Sequence, residues 1–136
     1  MLTVLSTALQ EGVFVNLRQL KSLSLSGNVI TSVEPTVFDE SANLSSLSTI
    51  DLSHNFITEL EPWPFVRARY RPTTVSLRNN RITNFTNTLR WILNCNSLMH
   101  YQRISLDLTY NDIKHIADII DGWNIDGMTS RCCCCC

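Results

Sequence analysis

The sequence predicts an α/β repeat fold in which each unit adds one short strand to a parallel sheet. Three observations lead there. The chain of 136 residues holds 17 Leu, 11 Ile, 12 Asn, 14 Ser and 13 Thr against 4 Gly and 4 Pro, a bias toward aliphatic residues and asparagine. One phrase recurs four times along the chain. Within it, apolar and polar residues alternate with the period of a half-buried strand.

The first phrase contains Leu20, Leu23, Leu25, Asn28 and Ile30, and the second Leu47, Ile50, Leu52, Asn55 and Ile57. The third runs through Val75, Leu77, Asn80 and Ile82, and the fourth through Leu106, Leu108, Asn111 and Ile113. The four asparagines are 27, 25 and 31 residues apart. Taking also the residue three past each Ile (Val33, Leu60, Phe85 and Ile116), five template positions in four copies hold 18 apolar residues of 20. At 44% hydrophobicity about nine would fall there by chance. The two exceptions, Pro72 and Arg103, both occupy the first position of the phrase.

Each position has a physical reason. Alternation makes a short strand whose aliphatic residues point one way, and parallel stacking of such strands lets every unit bury a face it could not bury alone. An asparagine at a fixed corner carries both a donor and an acceptor, so stacked asparagines can satisfy backbone groups that a sharp turn leaves without partners. The phrase L-x-x-L-x-L-x-x-N-x-L resembles the leucine-rich-repeat family over roughly residues 2–125. The resemblance implies a leucine-rich-repeat solenoid, a curved right-handed coil with the short-stranded parallel sheet on its concave face and loops and short helices on its convex face, in which Asn28, Asn55, Asn80 and Asn111 form an internal ladder. It assigns residues 1–125 to an uncapped array, with a partial first repeat, and leaves 126–136 as a disordered tail with a poly-Cys end.

The segments between the phrases are expected on the outer side. Phe14 and Phe38, each a few residues before the next Leu-x-x-Leu, resemble the extracellular type of the family found in Toll-like and Slit-like proteins. Two later segments read as helices. Leu89, Ile92 and Leu93 make one apolar stripe, as do Ile116, Ile119, Ile120 and Trp123, with Gly122 close to the end. Read backwards from Phe14, Leu2 and Leu5 are expected where Ile30 and Val33 fall one repeat later, so the chain is expected to begin within a repeat and to be a fragment of something larger.

Known catalytic chemistry finds little foothold. Phosphate-loop, nucleophile-elbow, zinc-protease and paired C-x-x-C motifs are absent from the sequence. Asp51, Ser53 and His54 have the residue types of a triad, but Asp51 and Ser53 are alternate residues of one strand, with no second element to supply an oxyanion hole. His54, His100 and His115 lack ligand spacing, so no metal and no cofactor is expected. No apolar run reaches membrane-spanning length, and residues 1–9 make a poor secretory signal. Of the six cysteines, five are the consecutive Cys132 to Cys136, which read as translated simple-sequence DNA or, alternatively, as a palmitoylated tail. Cys95 reads as a buried thiol or as half of a disulfide to a cysteine outside this chain.

The expected function is therefore binding. If the leucines face inward, the alternate residues line the concave side: Ser22, Ser24 and Ser26, then Thr49, Asp51 and Ser53, then Thr74, Ser76 and Arg78, then Ser105, Asp107 and Thr109. Gly27, His54, Asn79 and Tyr110 lie in the loops just beyond. Asp51, Ser53, His54, Ser76, Arg78, Asp107, Thr109 and Tyr110 are the candidate contacts for a protein ligand or glycoconjugate. Arg78 and Tyr110 are of the types enriched among interface hot spots. A merely solubilising polar face, with the true site in other repeats, is the alternative.

The net charge of −1 conceals blocks. Residues 62–106 hold seven arginines (Arg67, Arg69, Arg71, Arg78, Arg81, Arg90 and Arg103) and no acid, a field that would attract an anionic glycan, a lipid headgroup or an acidic protein. Pairing of these arginines with acids of adjacent repeats is the expected arrangement. Nucleic acid is not expected, because no aromatic stacking platform accompanies the charge. Sequons at Asn43 and Asn84, with the Phe placement, point to an extracellular or cell-surface parent, membrane-anchored outside this chain. A cytoplasmic repeat scaffold is the alternative.

Overall fold

The computed structural model describes residues 7–39, 42–60, 64, 72–84 and 104–113. Four three-residue strands, β2 (Ser22–Ser24), β4 (Thr49–Asp51), β5 (Thr74–Ser76) and β6 (Ser105–Asp107), form one parallel sheet in that order. Leu23, Ile50, Val75 and Leu106 are aligned across the ladder, so each strand donates the same template position to the same level. The pairing outlasts the strands. Leu25 N donates to Asp51 O, Leu52 N to Ser76 O and Leu77 N to Asp107 O, all at 2.8–2.9 Å. A smaller sheet pairs β1 (Ala8–Leu9) with β3 (Ser32–Val33). One strand per unit, in parallel and in a common register, fits an α/β repeat fold.

The period-two pattern explains which residues enter the core. Leu23, Leu25, Ile30, Ile50, Leu52, Ile57, Val75, Leu77 and Ile82 are all buried in one continuous cluster with Phe14, Val37, Phe38 and Leu60. Burying a side chain of this size stabilises by about 1.5–3 kcal/mol relative to leaving it exposed, so the repeated aliphatic positions dominate the stability of each unit. The fourth phrase is looser: Leu106, Leu108 and Ile113 are only partly buried.

Pro72 shows how an exception is accommodated. Its ring is buried at the first template position, but proline has no N–H. At that position Leu20 N donates to Leu17 O and Leu47 N to Leu44 O, so Pro72 keeps the packing and forgoes the turn hydrogen bond.

The first unit corrects the sequence reading. Leu9, not Leu5, pairs with Val33, and Thr7 O accepts from Thr31 N at 2.7 Å. The offset of 24 that sets Leu9 opposite Val33 also sets Phe14 opposite Phe38, so the position expected for Leu5 is held by Leu9. Backbone pairing fixes the register where apolar spacing alone allowed a slip.

The outer segments among the described residues are turns, at 11–16 and 35–38, rather than helices. Phe14 and Phe38 stack there with centroids 5.7 Å apart and planes 6° from parallel. The two segments read as helical, around 89–93 and 116–123, lie outside the described residues, as do Leu2, Leu5, Phe85, Cys95, Arg103, His100, His115 and the cysteine tail.

Candidate functional site

The corner after each strand is built in the same way. Gly27, His54, Asn79 and Tyr110 all have positive φ, between 54° and 70°. A left-handed residue turns the chain sharply and sends the following asparagine inward. Glycine does this at no steric cost, whereas the other three take on roughly 1–2 kcal/mol of backbone strain each. The asparagines that follow secure the corner. Asn55 Nδ2 donates to Leu52 O of its own unit and to Leu25 O of the unit before, while its Oδ1 accepts from Ile30 N, all at 2.9–3.0 Å. Asn80 makes the same set with Leu77 O, Leu52 O and Ile57 N. Asn111 does so with Leu108 O, Leu77 O and Ile82 N. Asn28 Nδ2 donates to Leu25 O at 2.8 Å.

This framework displays two groups of side chains. On the strand face, Ser22, Ser24, Thr74, Ser105 and Thr109 are exposed, and Thr49, Asp51, Ser76, Arg78 and Asp107 are half-buried. Ser53 departs from the open face expected of it. It is buried, its hydroxyl lies 2.9 Å from that of Ser26, and its N–H donates to Asp51 Oδ1 at 2.9 Å. The two hydroxyls close over each other between neighbouring units. Asp51 therefore receives a backbone N–H two residues on and His54 pairs with Asn79, Nδ1 to Nδ2 at 2.8 Å. No hydrogen bond joins Ser53 to His54 among the described residues, so the three triad-like residues form no proton relay.

At the far end of the sheet, Arg78, Asp107, Thr109 and Tyr110 converge. The Arg78 guanidinium lies 4.2 Å from the Tyr110 ring centroid and donates from Nη1 to Thr109 Oγ1 at 2.9 Å. Thr109 in turn donates its hydroxyl and its N–H to Asp107 Oδ1, at 2.7 and 2.9 Å. These bonds from Thr109, aided by the Arg78 charge and opposed by partial burial, hold the Asp107 carboxyl below its ordinary value. Tyr110 is 69% exposed, so its ring stands in solvent while the guanidinium is fixed against it. An exposed aromatic ring beside an orientated cation is chemically suited to recognition.

The other side of each corner holds residues that the sequence reading did not place in the candidate site. Val29, Phe56, Arg81 and Asp112 each follow a corner asparagine, and Val29 and Phe56 are exposed. Arg81 lies over the Phe56 ring at 4.6 Å. The available signal was an apolar or aromatic residue at the variable position between Asn and Ile. Arg81 departs from the expected charge pairing, because among the described residues it sits against a ring and reaches no carboxylate at ion-pair distance, whereas Arg78 sits against Tyr110 and acts by its charge on Asp107 of the next unit. Arg67, Arg69, Arg71, Arg90 and Arg103 lie outside the described residues.

Of the two sequons, Asn84 is exposed. Asn43 is half-buried with φ of 51°, and its side-chain amide faces the Arg18 guanidinium. Among the described residues no group of His, Cys, Asp and Glu could hold a metal ion, and no helix is long and apolar enough to cross a membrane. No curated protein matches the sequence. Residues 18–64 match the model of a family described as Leucine Rich repeats (2 copies), and the one parallel strand per unit fits that match.

Proposed function

We propose that the chain is a non-catalytic recognition segment of an extracellular leucine-rich-repeat receptor or adhesion protein, similar to Toll-like ectodomain repeats and serving in innate immunity or at the cell surface. In this reading the array is a curved solenoid. A protein or glycoconjugate docks on its concave strand face and the adjoining corner, through Asp51, His54, Ser76, Arg78, Asp107, Thr109 and Tyr110. The Arg78–Tyr110 pair carries the reading. A ring 69% exposed, with a guanidinium fixed 4.2 Å from its centroid by a hydrogen bond to Thr109, is ordered before any partner arrives. Preordering lowers the entropic cost of binding. The Phe14–Phe38 stack and the exposed Asn84 sequon support the extracellular placement.

Screening the chain, expressed through a secretory pathway, against purified ectodomains and glycans tests the proposal. Ligands that lose about tenfold or more in affinity with Tyr110→Ala or Arg78→Ala support it. Ligands indifferent to both substitutions would remove this surface from consideration. An intracellular scaffold is the second reading, favoured by the partial burial of Asn43 beside Arg18. Glycan on Asn84 of the secreted chain supports the extracellular parent, and absence of glycan from both Asn43 and Asn84 supports the scaffold.

A further inference from the structure

The row formed by Val29, Phe56 and Arg81 lies across the corner asparagines from Tyr110, and the reading above does not use it. Its alignment follows from the stacking: Phe56 N donates to Ile30 O at 2.8 Å and Arg81 N to Ile57 O at 2.9 Å, so these residues occupy one position in successive units. The row and its counterpart (Gly27, His54, Asn79) are two residues apart in the chain, a span of at most about 7 Å between Cα atoms. The two rows form one edge of the stack.

Two features of this row need explaining. Val29 is 48% exposed and Phe56 38%, neighbouring apolar surfaces beside the buried Leu23, Leu25, Ile30, Ile50, Leu52 and Ile57 of the same units. Arg81 is exposed, and among the described residues its contact is the Phe56 ring, with no carboxylate at ion-pair distance. A guanidinium stacked on a ring keeps its in-plane N–H groups directed outward, where they can take a carboxylate in bidentate fashion. We propose that this row is a docking surface for a protein segment that sets an apolar side chain on Val29 and Phe56 and a carboxylate on Arg81. A discrete carboxylate fits better than a polyanionic glycan, since the next residue of the row is Asp112 and Asp107 lies in the same unit. Acids so close would repel a dense anionic chain. The inference rests on the protein-recognition reading of the chain but not on the Arg78–Tyr110 site.

Selection of the full chain against a displayed library of short random peptides tests it. The recovered sequences are expected to pair Asp or Glu with Leu, Ile or Phe, and to lose about tenfold or more in affinity with Phe56→Ser. With Arg81→Glu as the selecting protein, the recovered sequences should change from acidic to basic, a reversal that misfolding cannot produce. Tyr110→Ala should leave the affinities unchanged. Peptides lost with Tyr110→Ala but not with Phe56→Ser would overturn this inference and leave the proposed function standing. Failure to recover any peptide would overturn this inference alone, since the proposed function is decided by ectodomains and glycans, and binding of a sulfated polysaccharide through Arg81, without peptide selection, would replace the protein segment by a glycan.

Discussion

At the scale of single residues, the corner asparagines do more than any surface group to hold units together. The amides of Asn55, Asn80 and Asn111 each tie two consecutive repeats, so truncation damages a neighbour as well as its own turn. Asn55→Ala would leave the Ile30 N–H buried without an acceptor, at a cost of about 1–3 kcal/mol. Chemical denaturation should show that loss, and a smaller one for Asn111→Ala, whose side chain is half-buried. Asp107 offers a second residue-level test. Its carboxyl is held low chiefly by Thr109, so its contribution to stability is present above the unfolded value of about 3.9 and is lost as pH falls through the lower folded value. Thr109→Val removes the hydroxyl donor and should raise the Asp107 pKa in a carboxyl-detected NMR titration. An unchanged titration would mean that the backbone N–H alone sets it.

At the scale of elements, the strands were legible because burial on one face imposes period two, and the aligned Leu23, Ile50, Val75 and Leu106 are the second template positions of the four phrases. The first unit was less legible. Leu5 and Leu9 are both apolar, and only the Thr7 and Leu9 carbonyls, accepting from Thr31 and Glu34, show that Leu9 is the partner of Val33. The surface was legible in part. Arg78 and Tyr110 stood out by residue type, but the stacking of one on the other depends on a contact between units 31 residues apart in register. Ser53 was misplaced because alternation alone cannot show that Ser26 closes over it. The left-handed corners were visible only at Gly27, since His, Asn and Tyr carry no comparable signal.

Burial also ranks the elements. Leu52→Ala and Leu77→Ala remove side chains at most 1% exposed and should each cost about 2–5 kcal/mol. Leu108→Ala, at the same template position in the looser fourth phrase, should cost less. Equal losses at all three would contradict the graded burial of the stack.

At the scale of the whole molecule, stability comes from interfaces between successive units, so damage in the middle of the array is not confined to one repeat. Leu52→Asp or Leu77→Asp would bury an unpaired charge at the centre of the aliphatic cluster and should abolish the cooperative melting transition followed by circular dichroism. The central claim is that Asn55, Asn80 and Asn111 each accept the N–H of an isoleucine in the unit before. Amide hydrogen exchange tests this directly. The Ile30, Ile57 and Ile82 amides should exchange slowly, and Asn80→Ala should speed Ile57 selectively, because Asn80 Oδ1 is its acceptor at 3.0 Å. Rapid exchange of these three amides in the unsubstituted chain, or an Ile57 rate indifferent to Asn80→Ala, would contradict the stacked register on which both proposed surfaces depend.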